Sequence, residues 1–194
     1  MAASSSCSSP ILTFPARCSA FQYSAVCRAC ATSGGIQALR NWGDHEAFRK
    51  RYKTPSKQNV IKFLCFDREN PNSIMSCLWS ARENARAVRE SISSEMWEHI
   101  NRFYLLMRES SSLQAAFDES YDFFDQIRVA GQQFMGVTDA TMTHGEGWHF
   151  CRLARSIERA DKTSRILDVK YFILLPSPTD VGSPYDDIQW SALL

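Results

Sequence analysis

No proline occurs between Asn72 and Leu175, and no glycine between Asp44 and Ala130. A stretch so poor in the two residues that most often interrupt regular structure favours long helices over a sheet with its many turns. Acidic residues are missing at the start. None precedes Asp44, so residues 1–43 carry only Arg17, Arg28 and Arg40, a formal +3 against −2 for the remainder. Long apolar runs are absent as well. The longest late candidate, Tyr171 to Leu175, ends at Pro176, far short of the roughly 20 residues a membrane-crossing helix needs, so no membrane partner is expected. Nor is there an excess of one charge: 22 Lys plus Arg stand against 21 Asp plus Glu. That balance leaves no electrostatic footprint for nucleic acid or anionic lipid.

What is present is 194 residues at 44% hydrophobic and 12% aromatic content, enough for one domain with a real core. Residues 1–40 read as a low-complexity leader, disordered or non-native, rich in Ser and Ala and holding Cys7, Cys18, Cys27 and Cys30. A transit-type targeting segment and a mis-set start both fit it. Pro10, Pro15 and Arg17 oppose a secretory signal, because they interrupt its apolar centre. Cys27-Arg28-Ala29-Cys30 has zinc or redox spacing, yet a structural zinc needs four ligands and no second pair follows. Cys65, Cys77 and Cys151 fall among apolar residues and read as buried thiols of a reducing compartment, which places the chain in the cytoplasm.

Residues 41–194 read as an all-α domain, an antiparallel helix bundle. Thr54-Pro55 is a helix-start signal with Thr54 as cap, and Asn70-Pro71 repeats it. After the second signal Ile74, Cys77, Leu78, Ala81, Ala85, Val88 and Ile92 recur at three and four. Ser93 or Ser94 caps the next helix, striped by Trp97, Ile100, Tyr104 and Met107. Ser110 to Ser112 restart the chain. Leu113, Phe117, Phe124, Ile127 and Phe134 mark a further helix, expected to end near Gly131 to Gly136, with Thr138 or Asp139 capping a short turn after it. The last long helix carries an apolar seam through Phe150, Leu153, Ile157, Ala160, Ser164, Leu167, Tyr171 and Leu174, which calls for a partner helix. Pro176 to Asp187 reads as a loop and Ile188 to Leu194 as the start of another helix.

Beside that seam Glu158, Asp161, Arg165 and Asp168 share a stripe, with Arg159 close by, and Arg82, Glu83, Arg86, Arg89 and Glu90 give an earlier helix the same character. Opposite charges at these spacings pair along a helix for about 0.2–0.5 kcal/mol each. If the two stripes face each other, Arg159 bridges carboxylates across helices. Asn70, Asn72 and Ser73 are candidates for presenting helix-terminal amides to an anion, although capping explains the same residues. His144-Gly145-Glu146-Gly147-Trp148-His149 lacks the zinc-protease order, since histidines five apart point to different helix faces. No metal site, phosphate loop or serine nucleophile elbow is recognisable, and no cofactor is implied.

Several of these segments together resemble one family. Phe63-Leu64-Cys65-Phe66-Asp67, Asn70-Pro71-Asn72-Ser73-Ile74, Ala81-Arg82-Glu83-Asn84-Ala85-Arg86, Glu146-Gly147-Trp148 and Glu158-Arg159-Ala160-Asp161 through Leu167-Asp168-Val169-Lys170-Tyr171 look like the bacterial Alpha-E family, in order from about Trp42 to Leu194. The resemblance implies an all-helical domain named for its Glu-Arg motif. It also implies ATP-grasp-type ligases and transglutaminase-like proteins as partners, hence a peptide-ligation or peptide-modification system. Relative to the family pattern the chain is expected to be truncated at both ends, lacking an opening helix with its own Glu-Arg motif. Two functions follow. One is an accessory interaction module of such a system. The other is a peptide-modifying enzyme with Glu158 or Asp161 as acid or base and Arg159, Arg82 or Arg86 holding an anionic substrate. The first requires apolar residues left on the surface; the second requires a pocket where those charges converge.

Overall fold

The computed structural model describes Leu39, residues 44–118 and 120–169, and Pro184. Among them every regular element is helical, as the scarcity of proline and glycine predicts. In chain order these are α1 (His45–Arg51), α2 (Lys57–Ile61) continued by a π-helical turn (Lys62–Phe66), α3 (Ile74–Ala87), a 3-10 turn (Arg89–Ser91), α4 (Ser94–Arg108), α5 (Ser110–Asp118), α6 (Ser120–Thr141) and α7 (Glu146–Val169). None of the described helices is long and apolar enough to cross a membrane. The leader expected over residues 1–40 lies outside the described residues except for Leu39, which is buried in the core. The loop and final helix expected after Pro176 lie outside them too.

Serines start the helices that matter most. Ser73 Oγ accepts from Ser76 N at 3.1 Å at the head of α3, and Ser93 Oγ accepts from Met96 N at 3.1 Å at the head of α4, as expected. Each takes up one of the N–H groups that a helix leaves without an internal partner. Thr54 does not cap α2; Ser56 does, accepting from Asn59 N. The Thr54 carbonyl and hydroxyl instead accept from the Asn59 side chain, so Thr54-Pro55 closes a loop two residues ahead of the helix. Asn70-Pro71 likewise precedes its helix by a turn.

α3 packs on α4, and α4 on α6. The α4–α6 pair is antiparallel: Ser93 meets Thr141 at 2.6 Å between hydroxyls, and the His99 ring nitrogen lies 2.8 Å from Ala130 O. One core cluster gathers Phe48, Ile61, Phe63, Leu78, Met107 and Ile127 among others. A second gathers Ala81, Ala85, Met96, Ile100, Phe134, Met142 and Cys151. Cys65, Cys77 and Cys151 are buried thiols, as their apolar neighbours imply.

α6 corrects the expected boundary near Gly131 to Gly136. It runs through both glycines to Thr141. Ile127, Gly131, Phe134 and Thr138 fall on one buried face, and that packing outweighs the roughly 1 kcal/mol that a mid-helix glycine costs. Thr138 is accordingly helical rather than a cap; its Oγ1 donates to Phe134 O at 2.8 Å. Gly136 is exposed, and an added Cβ there meets nothing within 4 Å. Gly136→Ala should therefore raise stability by about 0.5–1 kcal/mol, read as a higher midpoint in urea.

The chain divides into two compact units, one up to Arg159 and one from Ala160. In the second, Asp161 and Leu167 are half-buried, and Ser164 Oγ donates to Asp161 O at 2.8 Å.

Two groups link folding to alkaline pH. Burial pushes the Cys151 thiol above its ordinary value, with Arg155 opposing. Burial, then the charge of Asp67, pushes Tyr52 up, with Arg51 opposing. Both ionise less readily folded than unfolded, so the stability they add is full below their unfolded values and is lost as pH rises through the folded ones. Urea midpoints should fall between about pH 8 and pH 11. Peptide mapping should show Cys151 alkylated far more slowly in the native protein than in urea.

Candidate functional site

Two places bring together the residues that the sequence singles out. The first lies where α3 crosses α4. Arg82 Nε donates to Asn101 Oδ1 at 2.8 Å, and Nη1 donates to Glu83 Oε1 at 3.1 Å. Its guanidinium carbon sits 5.8 Å from the Trp97 ring centroid and 5.2 Å from that of Tyr104. Arg89 lies on Trp97 as well, at 5.9 Å, its two terminal nitrogens donating to Ile92 O and Ser94 Oγ. Glu83 accepts a second cation, Arg86, at 3.5 Å. Arg82, Glu83 and Arg86 thus pair along α3, as their spacing implies. The ring partners were legible only as core residues of α4.

Along the outer side of α4 runs an open groove of about 520 Å³. Among the described residues its wall follows that helix from Trp97 and Glu98 through Asn101, Arg102, Leu105 and Leu106 to Glu109, the residue just after it. Trp97 and Asn101 belong both to this wall and to the cradle of Arg82.

The second place is α7. Its expected apolar seam is not the face it buries: Phe150 is 43% exposed, Leu153 49% and Ile157 60%. Cys151, Ala154 and Glu158 are buried instead, Glu158 to 7% exposure. The helix is turned by about one residue, or 100°, from the orientation its largest apolar side chains suggest. The small Cys151 and Ala154 face the bundle in their place. Arg159 is exposed. No ion pair among the described residues joins Glu158 or Arg159 to Arg82, Glu83 or Arg86, which pair on α3 and across to α4. The side chains of Arg165 and Asp168 lie outside the described residues.

At the head of α7, His144 stacks on Trp148 with ring centroids 4.2 Å apart, Arg152 lies over the same indole at 4.7 Å, and His149 meets it edge-on. The two histidines thus serve one aromatic stack. No group of three or more metal-ligating side chains occurs among the described residues.

Asn70, Asn72 and Ser73 are tied into the fold. Asn70, 2% exposed, donates through Nδ2 to Phe63 O at 3.1 Å and accepts from Asn72 N at 3.0 Å. Asn72 Nδ2 donates to Asp44 Oδ1 at 2.8 Å. Nearby, Arg51 clamps Asp67 at 3.0 Å and Glu69 at 3.3 Å.

A family model describing a predicted alpha-helical domain with a conserved ER motif matches residues 16–194. Glu158-Arg159 is the one Glu-Arg dipeptide of the chain. Neither a curated protein nor a solved structure matches it.

Proposed function

Because the chain belongs to the Alpha-E family, we propose that it is the accessory interaction module of a cytoplasmic ATP-grasp-linked peptide-ligation or peptide-modification system, docking onto the ATP-grasp-type ligase or its transglutaminase-like companion. The observation that carries this reading is the row Phe150, Leu153 and Ile157 on one side of α7, left exposed while the helix buries smaller residues. Large apolar side chains in a row on a charged surface are what a partner's apolar groove desolvates. The enzyme reading asks Glu158 or Asp161 to work with Arg159, Arg82 or Arg86, and of these arginines Arg82 and Arg86 are engaged with Glu83 and Asn101.

The test is the double variant Leu153→Asp with Ile157→Asp. Exposed positions change stability by no more than about 0.5 kcal/mol, so the melting temperature should hold. Affinity for a purified ATP-grasp-type ligase should fall at least tenfold, since buried apolar anchors dominate such interfaces. Parent and variant binding equally would remove the reading.

A further inference from the structure

The charge balance of the whole chain hides a local excess. Residues 49–62 hold Arg49, Lys50, Arg51, Lys53, Lys57 and Lys62 and no acid, whereas the other residues from Asp44 onward hold 13 basic against 21 acidic, a formal −8. We propose that this basic surface, formed by the end of α1, the loop after it and α2, docks a short segment of a partner protein that is rich in Asp or Glu and poor in apolar side chains. It is separate from the exposed row on α7, so either can fail without the other.

An aromatic trio gathers the cations. Phe48, Tyr52 and Phe63 meet with ring centroids 5.2 to 6.0 Å apart. Arg49 follows Phe48, Lys53 follows Tyr52 and Lys62 precedes Phe63, so the contact that joins the rings also brings the backbones of these three cations together. Their side chains stay exposed, with those of Lys50 and Lys57. Of the six, Arg51 alone belongs to an ion pair among the described residues. It holds Asp67 and Glu69, which neutralises the acids that follow the patch along the chain. The other five keep their charge toward water.

Fold stability does not account for the cluster. Cations in the last turn of α1 complement its dipole, which covers Arg49, Lys50 and Arg51. Lys53 lies beyond that helix, and Lys57 opens α2, an end that favours anions. Like charges gathered this closely also repel one another. An anionic ligand relieves both costs.

The surroundings then select the ligand. No large apolar side chain is exposed between His45 and Glu69, so the surface offers charge rather than an apolar anchor. A nucleic acid or an anionic bilayer carries its charge far beyond the patch and would lie against the acidic remainder of the protein. A short acidic segment fits within the patch. Charge complementarity of this kind speeds and orients an encounter more than it tightens the hold.

Fluorescence anisotropy of a labelled, capped Glu-Ser repeat decapeptide, at about 20 mM salt to limit screening, tests this. The peptide should bind the parent protein at least tenfold more tightly than its Gln-Ser counterpart, and more weakly as salt is raised. The triple variant Lys53→Gln, Lys57→Gln, Lys62→Gln alters only exposed residues, should keep the parent's melting temperature, and should lose at least tenfold in affinity. Removing the same charge elsewhere, with Arg86→Gln, Arg102→Gln and Arg108→Gln, should leave binding within threefold. Equal losses in the two triple variants, unchanged binding by the first, or no binding of the Glu peptide at millimolar concentration would overturn the proposal. Duplex DNA or phosphatidylserine vesicles that bind the parent more tightly than the peptide at the same salt would overturn it in favour of a phosphate-bearing partner. Self-association of the parent that the first triple variant abolishes would overturn it in favour of a second copy.

Discussion

Phe63→Ala should lower the free energy of unfolding by about 3–5 kcal/mol, the range for removing a fully buried aromatic ring. Phe63 has no exposed surface and sits in the π-helical turn after α2. Its ring meets Phe48 edge-on at 5.3 Å and Tyr52 at 6.0 Å, while those two stack at 5.2 Å. The substitution therefore empties the centre of an aromatic trio that ties α1 to the π turn, and edge-to-face contacts are lost along with buried area. Urea unfolding followed by circular dichroism measures the loss. A change below about 1 kcal/mol would mean that the site collapses around alanine, which would contradict the packing described.

Asn70→Ala should cost about 1–3 kcal/mol, the cost of stranding a buried polar group, here the Phe63 carbonyl. The Asn70 amide reaches back seven residues to that carbonyl and forward to Asn72 N, so one side chain stitches the end of the π turn to the loop that opens α3. Asn72→Ala should cost less, because Asn72 is exposed and its contact with Asp44 is only partly buried. The same urea melts compare the two, and an Asn72→Ala loss exceeding that of Asn70→Ala would contradict this account.

The helical class was legible because it depends on where chain-breaking residues fall, whereas α1 carried no start signal and α5 and α6 read as one helix. Ser93 was readable as a cap, because its hydroxyl acts over three residues. The true starts at Ser56 and Ser73 were obscured by Thr54-Pro55 and Asn70-Pro71, which carry the same local signal but are spent on loop bonds to Asn59 and Phe63. Gly131 and Gly136 misled for the opposite reason: local propensity says stop, while the stripe Ile127, Phe134 and Thr138 continues across them. α7 shows the deeper limit. Phe150, Leu153 and Ile157 outweigh Cys151, Ala154 and Glu158 in hydrophobicity, so pattern alone chooses the wrong face, and only the bundle's need for small side chains at that contact reverses the choice. Arg82, Glu83 and Arg86 were visible as a charged patch. The rings and amide that hold Arg82 come from another helix, and their approach is a tertiary fact.

The proposed docking rests on the exposed row on α7, and hydroxyl-radical footprinting reads it residue by residue. In the isolated protein Phe150, Leu153 and Ile157 should oxidise readily, and Met96, which has no exposed surface, should resist. With the ATP-grasp-type ligase or its transglutaminase-like companion added, the three α7 residues should become protected while exposed Tyr121 stays reactive. Oxidation of Phe150, Leu153 and Ile157 that is unchanged by either partner at saturating concentration would contradict the account.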